Sequence, residues 1–143
     1  MKKIIITALI LIATLATNAQ TWHTDMIEAQ EVATEKNRKI ILVFQGSDWC
    51  APCMKLEKEI WSSTTFKDYA KGNYVLVKAD FPKRKKNKLS KELQKHNDAL
   101  AEKYNKNGVF PLVVVLDKTG KVIGKTTYKK TTPKEFLEIL NSL

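Results

Sequence analysis

The stretch Trp49-Cys50-Ala51-Pro52-Cys53 decides the fold, because it places the only two cysteines of the chain between an expected strand and an expected helix. An apolar, β-branched run (IILVF, 40–44) precedes it, and the run 54–61 has a helical pattern. A C-x-x-C pair at a helix start is typical of redox-active cysteines. Unpaired backbone N–H groups and the helix dipole lower the pKa of a thiol at that position. We therefore predict thiol–disulfide exchange at Cys50 and Cys53, with an inert structural bridge as the alternative.

Residues 1–19 have the features of a cleavable secretory signal peptide. Two lysines at 2–3 precede an apolar stretch over 4–16, and the small residues of 17–19 form a suitable cleavage site. The apolar stretch is shorter than the ~20 residues that a comfortable transmembrane helix needs; an uncleaved anchor is the alternative. We expect one domain over 20–143, periplasmic or secreted, with no stable membrane insertion after signal cleavage.

Export affects how the cysteine pair is interpreted. Structural disulfides are common outside the cytoplasm. A bridge that spans two residues, however, closes a very small loop and constrains the unfolded chain little. The pair is therefore expected to serve chemistry rather than stability.

The chain is strongly basic, with a formal net charge of +10 at pH 7, and much of the excess lies in Lys83–Lys88 (KRKKNK). A basic run attracts nucleic acid, acidic partners or anionic lipid. No aromatic residue interrupts this run and no base-reading motif is present, which argues against nucleic acid. We expect a solvated basic loop, with steering of acidic substrate proteins as the alternative. His23, His96 and the cysteine pair lack the spacing of a metal site, so no metal is expected.

Hydrophobic periodicity predicts alternating helices and strands. The strand at 39–45 does not alternate apolar and polar residues, as expected for a strand covered on both faces. The pattern predicts an α/β fold with a central mixed sheet of about four to five strands flanked by helices. The expected order is a helix at 21–37, a strand at 39–45, the cysteine helix, a short helix within 62–72, a strand at 74–81, a helix ending near 105, a hairpin of strands 112–116 and 121–127, and a last helix capped at 132–135.

This order, with the cysteine pair at a helix start and Phe110-Pro111 before the hairpin, resembles the thioredoxin fold. The segments GSDWC (46–50) and KLEKE (55–59) look like those of exported bacterial thioredoxin-like proteins. They are also similar to the C-terminal domain of the transmembrane thiol reductase DsbD. The resemblance implies that Cys50 is the exposed nucleophile and Cys53 the buried resolving thiol. It implies no cofactor beyond this redox-active disulfide.

The resemblance also implies a substrate contact. Pro111 matches the family's cis-proline beside the cysteine pair, and a proline that opens a buried strand independently needs an explanation, which a cis bond provides. Phe110 then offers backbone groups to a bound peptide, and Trp49 forms an apolar wall beside Cys50.

Two departures from thioredoxins concern proton transfer and loop length. Phe44 stands where thioredoxins carry a buried aspartate, and Lys78 stands where they hold a partly buried lysine, which here lacks its usual partner. Glu57 is the candidate substitute as proton relay, and a surface glutamate is the alternative. The segment 81–90 is longer and more basic than in a minimal thioredoxin.

The intervening Ala51-Pro52 favours a reductant, because neither residue stabilises the Cys50 thiolate as a histidine would. We expect a potential nearer to thioredoxin's, about −270 mV, than to the strong oxidant's, about −120 mV. The alternatives are a disulfide oxidase or isomerase, for which no dimerisation domain is seen, and a non-catalytic binding module. A reductant implies cysteine-containing exported proteins as substrates and a DsbD-like membrane electron donor. A monomer is favoured.

Overall fold

The computed structural model describes residues 20–143. The predicted signal peptide lies outside the described residues. Within them, no helix combines the length and the apolar character needed to cross a membrane. The elements are β1 Trp22–His23, α1 Met26–Lys36, β2 Lys39–Gln45, α2 Ala51–Leu56 continuing into a π-helical turn Glu57–Trp61, α3 Thr64–Asn73, β3 Tyr74–Asp80, a 3₁₀ turn Lys85–Asn87, α4 Lys91–Tyr104, β4 Leu112–Leu116, β5 Val122–Thr126 and α5 Pro133–Ser142.

The strands form one five-stranded mixed sheet in the order β1-β3-β2-β4-β5. β2 pairs parallel with β3 and antiparallel with β4, so it lies at the centre. The predicted α/β fold, with a mixed sheet of four to five strands flanked by helices, is confirmed.

The central strand β2 divides the core into two halves, because successive side chains point to opposite faces of a strand. Ile40, Leu42 and Phe44 face α1 and α4, and Ile41 and Val43 face α2, α3 and α5. All five side chains are fully buried, and each contributes about 1.5–3 kcal/mol by leaving water. The uninterrupted apolar run of β2 therefore reflects helices on both sides of the sheet.

The first helix begins later than the sequence pattern predicted. Asp25 caps α1, and its side chain accepts hydrogen bonds from the N–H groups of Ile27 and Glu28 at 2.7 and 3.1 Å. Trp22 lies before this cap in the short strand β1, paired with Leu76. The predicted helix over 21–37 is therefore wrong at its start, and Trp22 packs on the opposite face of the sheet from α1.

The topology brings three chain segments to one edge of the sheet. β2 and β3 run parallel and end together at Gln45 and Asp80, which are paired. β4 runs the other way and begins at the same edge, where Leu112 pairs with Phe44. The cysteine loop, the basic loop and Phe110-Pro111 therefore all lie at this edge, where sites in α/β sheets commonly form.

Candidate active site

A disulfide joins Cys50 and Cys53, whose Cα atoms are 5.2 Å apart, at the start of α2. Cys50 is the N-cap residue, and its Sγ accepts a hydrogen bond from the Cys53 N–H at 3.3 Å. A donor directed at this sulfur stabilises negative charge on it after reduction. Pro52 lies in the first turn of the helix, where the missing N–H costs no hydrogen bond.

The two cysteines are almost equally buried in this oxidised state. Cys50 is 4% exposed and Cys53 is 3% exposed. The expectation of an exposed Cys50 is therefore wrong for the disulfide form. The bond to Cys53 and the hydrogen bond from its N–H hold the Cys50 sulfur against the first turn of α2 instead of directing it to solvent.

Trp49 forms a half-exposed aromatic surface next to the disulfide. Its Nε1–H donates to the Phe81 carbonyl at 2.7 Å, and its ring meets the Phe110 ring edge-on at a centroid distance of 5.4 Å. The ammonium of Lys83 lies 4.0 Å from the Trp49 ring centroid. The indole lies so close to Gly46 that a Cβ there would stand 2.2 Å from Cε2. Trp49 and Phe110, which sequence reasoning placed beside the cysteines, are thus in contact with each other.

The Phe110–Pro111 peptide bond is cis. Pro111 is buried, and its carbonyl accepts a hydrogen bond from Thr127 Oγ1 at 2.6 Å. Upstream, the buried Asn105 side chain forms two hydrogen bonds of 2.9 Å with the main chain of Val109, one as donor and one as acceptor. Hydrogen bonds therefore hold the main chain both before the cis bond, at Val109, and after it, at Pro111. Nothing in the sequence pattern around Asn105 indicated this role.

Asp48 ties the cysteine loop to the basic loop. Its carboxylate accepts hydrogen bonds from the N–H groups of Lys83 and Arg84 at 2.9 and 3.0 Å and from Asn87 Nδ2 at 2.9 Å. These hydrogen bonds, with the Lys83 N–H contributing most, lower the pKa of Asp48 to about 2. Sequence reasoning treated Asp48 only as part of a loop, because its partners lie 35–39 residues away.

A second aspartate fixes the other end of the same loop. Asp80 accepts hydrogen bonds from the Ser47 N–H at 2.9 Å and from Ser47 Oγ at 2.6 Å. The Asp80 carbonyl accepts from Nδ2 of the buried Asn97 at 3.0 Å. Asn97 adjoins His96, whose Nε2 accepts from the Met26 N–H at the start of α1. His96 therefore has a structural contact.

A cleft of about 530 Å³ opens beside Cys53 and is also lined by Glu57 and Lys78. The Lys78 Nζ and a Glu57 carboxylate oxygen are 2.7 Å apart, and the side chains are 21% and 43% exposed. Lys78 thus has a partner, although not the one that thioredoxins provide. Phe44 is fully buried and stacks on Phe81 at 6.5 Å. Glu57 is the carboxylate that shares this cleft with Cys53.

Within residues 20–143, no group of three or more His, Cys, Asp or Glu side chains is arranged to hold a metal ion. The Nδ1 atom of His23 lies 3.4 Å from a carboxylate oxygen of Glu28.

The fold and the cysteine pair agree with the comparisons to known proteins. Residues 26–143 match the family described as thioredoxin-like domain, and the chain belongs to this family. It is 34% identical over 102 residues to the disulfide bond reductase DsbH of Chlamydia pneumoniae. The aligned residues cover 71% of this chain and 60% of that protein. The chain therefore spans less than two thirds of that relative's length.

Solved structures show the same fold. A DsbH oxidoreductase structure has a TM-score of 0.78 and 30% identity, covering 85% of this chain and 82% of that chain. The C-terminal domain of Neisseria meningitidis DsbD has a TM-score of 0.55 and 18% identity. The match covers 87% of this chain and 98% of that domain's chain. At that identity the second similarity concerns the fold alone. The predicted thioredoxin fold and the predicted resemblance to thioredoxin-like proteins, the DsbD C-terminal domain among them, are confirmed.

Proposed function

We propose that this protein is a thiol:disulfide oxidoreductase that reduces disulfides in exported proteins through Cys50 and Cys53. The observation that carries the proposal is the disulfide at the start of α2, with the Cys53 N–H donating to Cys50 Sγ at 3.3 Å. The relative named disulfide bond reductase supports the reaction class and its direction.

The proposed reaction has two exchange steps. The Cys50 thiolate attacks one sulfur of the substrate disulfide, a mixed disulfide forms, and the other substrate sulfur leaves as a thiolate that takes up a proton. Cys53, as a thiolate, then attacks the Cys50 sulfur. This step breaks the mixed disulfide, releases the second substrate thiol and restores the Cys50–Cys53 bond. Two electrons have passed from the protein to the substrate, and no cofactor takes part.

The assignment of Cys50 as nucleophile rests on its position as the N-cap of α2. The helix dipole and the directed N–H favour its thiolate. Cys53 lies inside the first turn and lines the cleft that contains Glu57. We assign Glu57 as the group that accepts the Cys53 proton during the second step, held in place by Lys78.

Substrate contact is assigned to Trp49, Phe110 and Pro111. The rings of Trp49 and Phe110 touch, and their apolar surface adjoins the first residue of the disulfide. Trp49 is 38% exposed, so a peptide can pack on it. The fixed backbone at Phe110 favours a main-chain contact, since a preformed site loses little conformational freedom on binding.

The proposal includes the cellular context. We assign residues 1–19 as a cleaved signal peptide and 20–143 as a single periplasmic or secreted domain that works as a monomer. Because the reduced state must be regenerated in an oxidising compartment, the electron donor is a membrane dithiol protein of the DsbD kind. The Dsb-type relatives support a partner of this class.

Insulin reduction with dithiothreitol tests the reaction. Wild type is expected to accelerate precipitation of the insulin B chain, and Cys50→Ser is expected to abolish the acceleration. Cys53→Ser is expected to accumulate mixed disulfides with exported proteins through Cys50. An inactive wild type would instead support a binding module.

Equilibration with glutathione tests the direction. A reductant is expected to stay oxidised until the buffer is strongly reducing, near a potential of about −270 mV. A potential near about −120 mV would instead identify an oxidase.

A further inference from the structure

The basic loop, Lys83–Lys88, presents five exposed cationic side chains. They belong to Lys83, Arg84, Lys85, Lys86 and Lys88. Among residues 20–143, the ion pair is Lys78 with Glu57, and His23 contacts Glu28, so none of the five side chains is paired with a carboxylate.

The backbone of this loop is fixed without neutralising its side chains. The Asp48 carboxylate binds the main-chain N–H groups of Lys83 and Arg84 and the neutral amide of Asn87. One acidic group thus holds a turn that bears five positive charges, and a large local excess remains. A fixed turn also spares a partner much of the entropy that ordering a flexible loop would cost.

The first residue of the basic loop contacts Trp49, the residue next to the disulfide. The Lys83 ammonium lies 4.0 Å from the ring centroid of Trp49, and Trp49 immediately precedes Cys50. Asp48, which anchors the loop, belongs to the same turn as both residues, because the N–H groups of Trp49 and Cys50 donate to the Gly46 carbonyl. A polypeptide that reaches the Cys50 sulfur therefore passes close to the first residue of the basic loop.

We propose that the basic loop is a docking surface for an acidic segment of the protein whose disulfide is exchanged at Cys50. This inference rests on the proposed function and names its substrate class. Clustered charge of one sign beside a site raises the association rate of oppositely charged partners. A protein segment is favoured over a lipid surface because the loop adjoins the reacting disulfide. The sequence KRKKNK also has no apolar side chain to enter a bilayer.

The test compares the reduced protein with two variants that each remove four positive charges. The loop variant carries Arg84→Gln, Lys85→Gln, Lys86→Gln and Lys88→Gln. The control variant carries Lys36→Gln, Lys39→Gln, Lys71→Gln and Lys121→Gln. All four control residues are exposed, and they lie toward the end of the sheet opposite the disulfide, where β2 and β3 begin and β4 ends. The two variants have equal net charge and differ only in its location.

The readout is the second-order rate constant for reduction of two disulfide peptides of equal length, one with acidic and one with neutral flanks. At 10 mM salt, wild type is expected to reduce the acidic peptide about tenfold faster than the neutral one, the lower end of electrostatic steering effects. The loop variant is expected to lose this preference and the control variant to retain it. At 1 M salt the preference is expected to vanish, because the Debye length falls from about 30 Å to about 3 Å.

Equal rates for the acidic and neutral peptides in wild type, with both reduced, would overturn this inference and leave the proposed function intact. The same holds if both four-charge variants lose the preference equally, since location would then be irrelevant. Loop-dependent co-sedimentation with anionic vesicles, with peptide rates unchanged, would assign the loop to a lipid surface instead. If wild type reduces neither peptide, the proposed function itself fails.

Discussion

Replacing Gly46 with alanine should displace Trp49 from its position beside the disulfide. The added Cβ would stand 2.2 Å from Trp49 Cε2, and a rigid indole relieves such a clash only by moving as a whole. The ring then loses the hydrogen bond to Phe81, worth about 1 kcal/mol, and the edge contact with Phe110, worth about 0.5–1.5 kcal/mol. The contact with Lys83 adds about 0.5–1 kcal/mol. We expect Gly46→Ala to lower the free energy of unfolding by about 2–3.5 kcal/mol.

Urea unfolding of the oxidised protein, followed by far-UV circular dichroism, measures this change. Gly72→Ala is the matched control, because a Cβ at Gly72, in helix α3, meets nothing within 4 Å. Alanine there is expected to stabilise the protein by up to about 1 kcal/mol. Gly46→Ala is also expected to slow reduction of peptide disulfides more than exchange with a small thiol, because Trp49 is the proposed peptide contact. A Gly46→Ala protein with wild-type stability and wild-type peptide rates would refute the argument.

Three further predictions concern the anchors of the site. Asn105→Ala removes both hydrogen bonds to Val109 and is expected to cost about 2 kcal/mol in urea unfolding; a change below about 0.5 kcal/mol would contradict their structural role. The pKa of Asp48 is lowered to about 2, so its contribution to stability is present above the ordinary value of 3.8 and is lost as the pH falls through about 2. The stability difference between wild type and Asp48→Asn is therefore expected to shrink over that window, and a constant difference would contradict it. Glu57→Gln keeps a hydrogen-bond acceptor for Lys78, so the free energy of unfolding is expected to change by less than about 1 kcal/mol. Stopped-flow kinetics should show an altered pH profile for the step in which Cys53 attacks. An unaltered profile would refute the role of Glu57 as acceptor of the Cys53 proton.

The parts of the fold that follow from local pattern were predictable from the sequence. The unbroken apolar run of β2 indicated a strand covered on both faces, and β2 lies at the centre of the sheet. Thr132 and Glu135 indicated a capping box, which is present at the start of α5. The start of α1 differs from the prediction because the apolar periodicity extends back to Trp22, whereas Asp25 caps the helix. The cap takes precedence because it satisfies backbone N–H groups at the helix start.

The parts of the site that depend on distant partners were not predictable. Asp48 and the basic loop are separated by more than 30 residues, and only the parallel pairing of β2 with β3 brings them together. Glu57 and Lys78 were each noted in the sequence, but their pairing follows from the register of the sheet and the position of the π-helical turn. An acceptor such as a carboxylate has many potential donors along a chain, so its sequence neighbours do not identify the one it binds.

The proposed chemistry and the proposed selectivity of the site depend on different parts of the chain. In the proposed reaction the exchanging sulfurs lie at the start of α2, where Cys50 is the N-cap and the Cys53 N–H is directed at its sulfur. The surface proposed for partner contact comes from elsewhere: Phe110 precedes β4, and Lys83 follows β3. Both surround Trp49, whose position depends on Gly46 having no side chain. Changes in the basic loop should therefore alter which proteins react while leaving the exchange reaction itself intact. Changes at the helix start should affect every substrate alike.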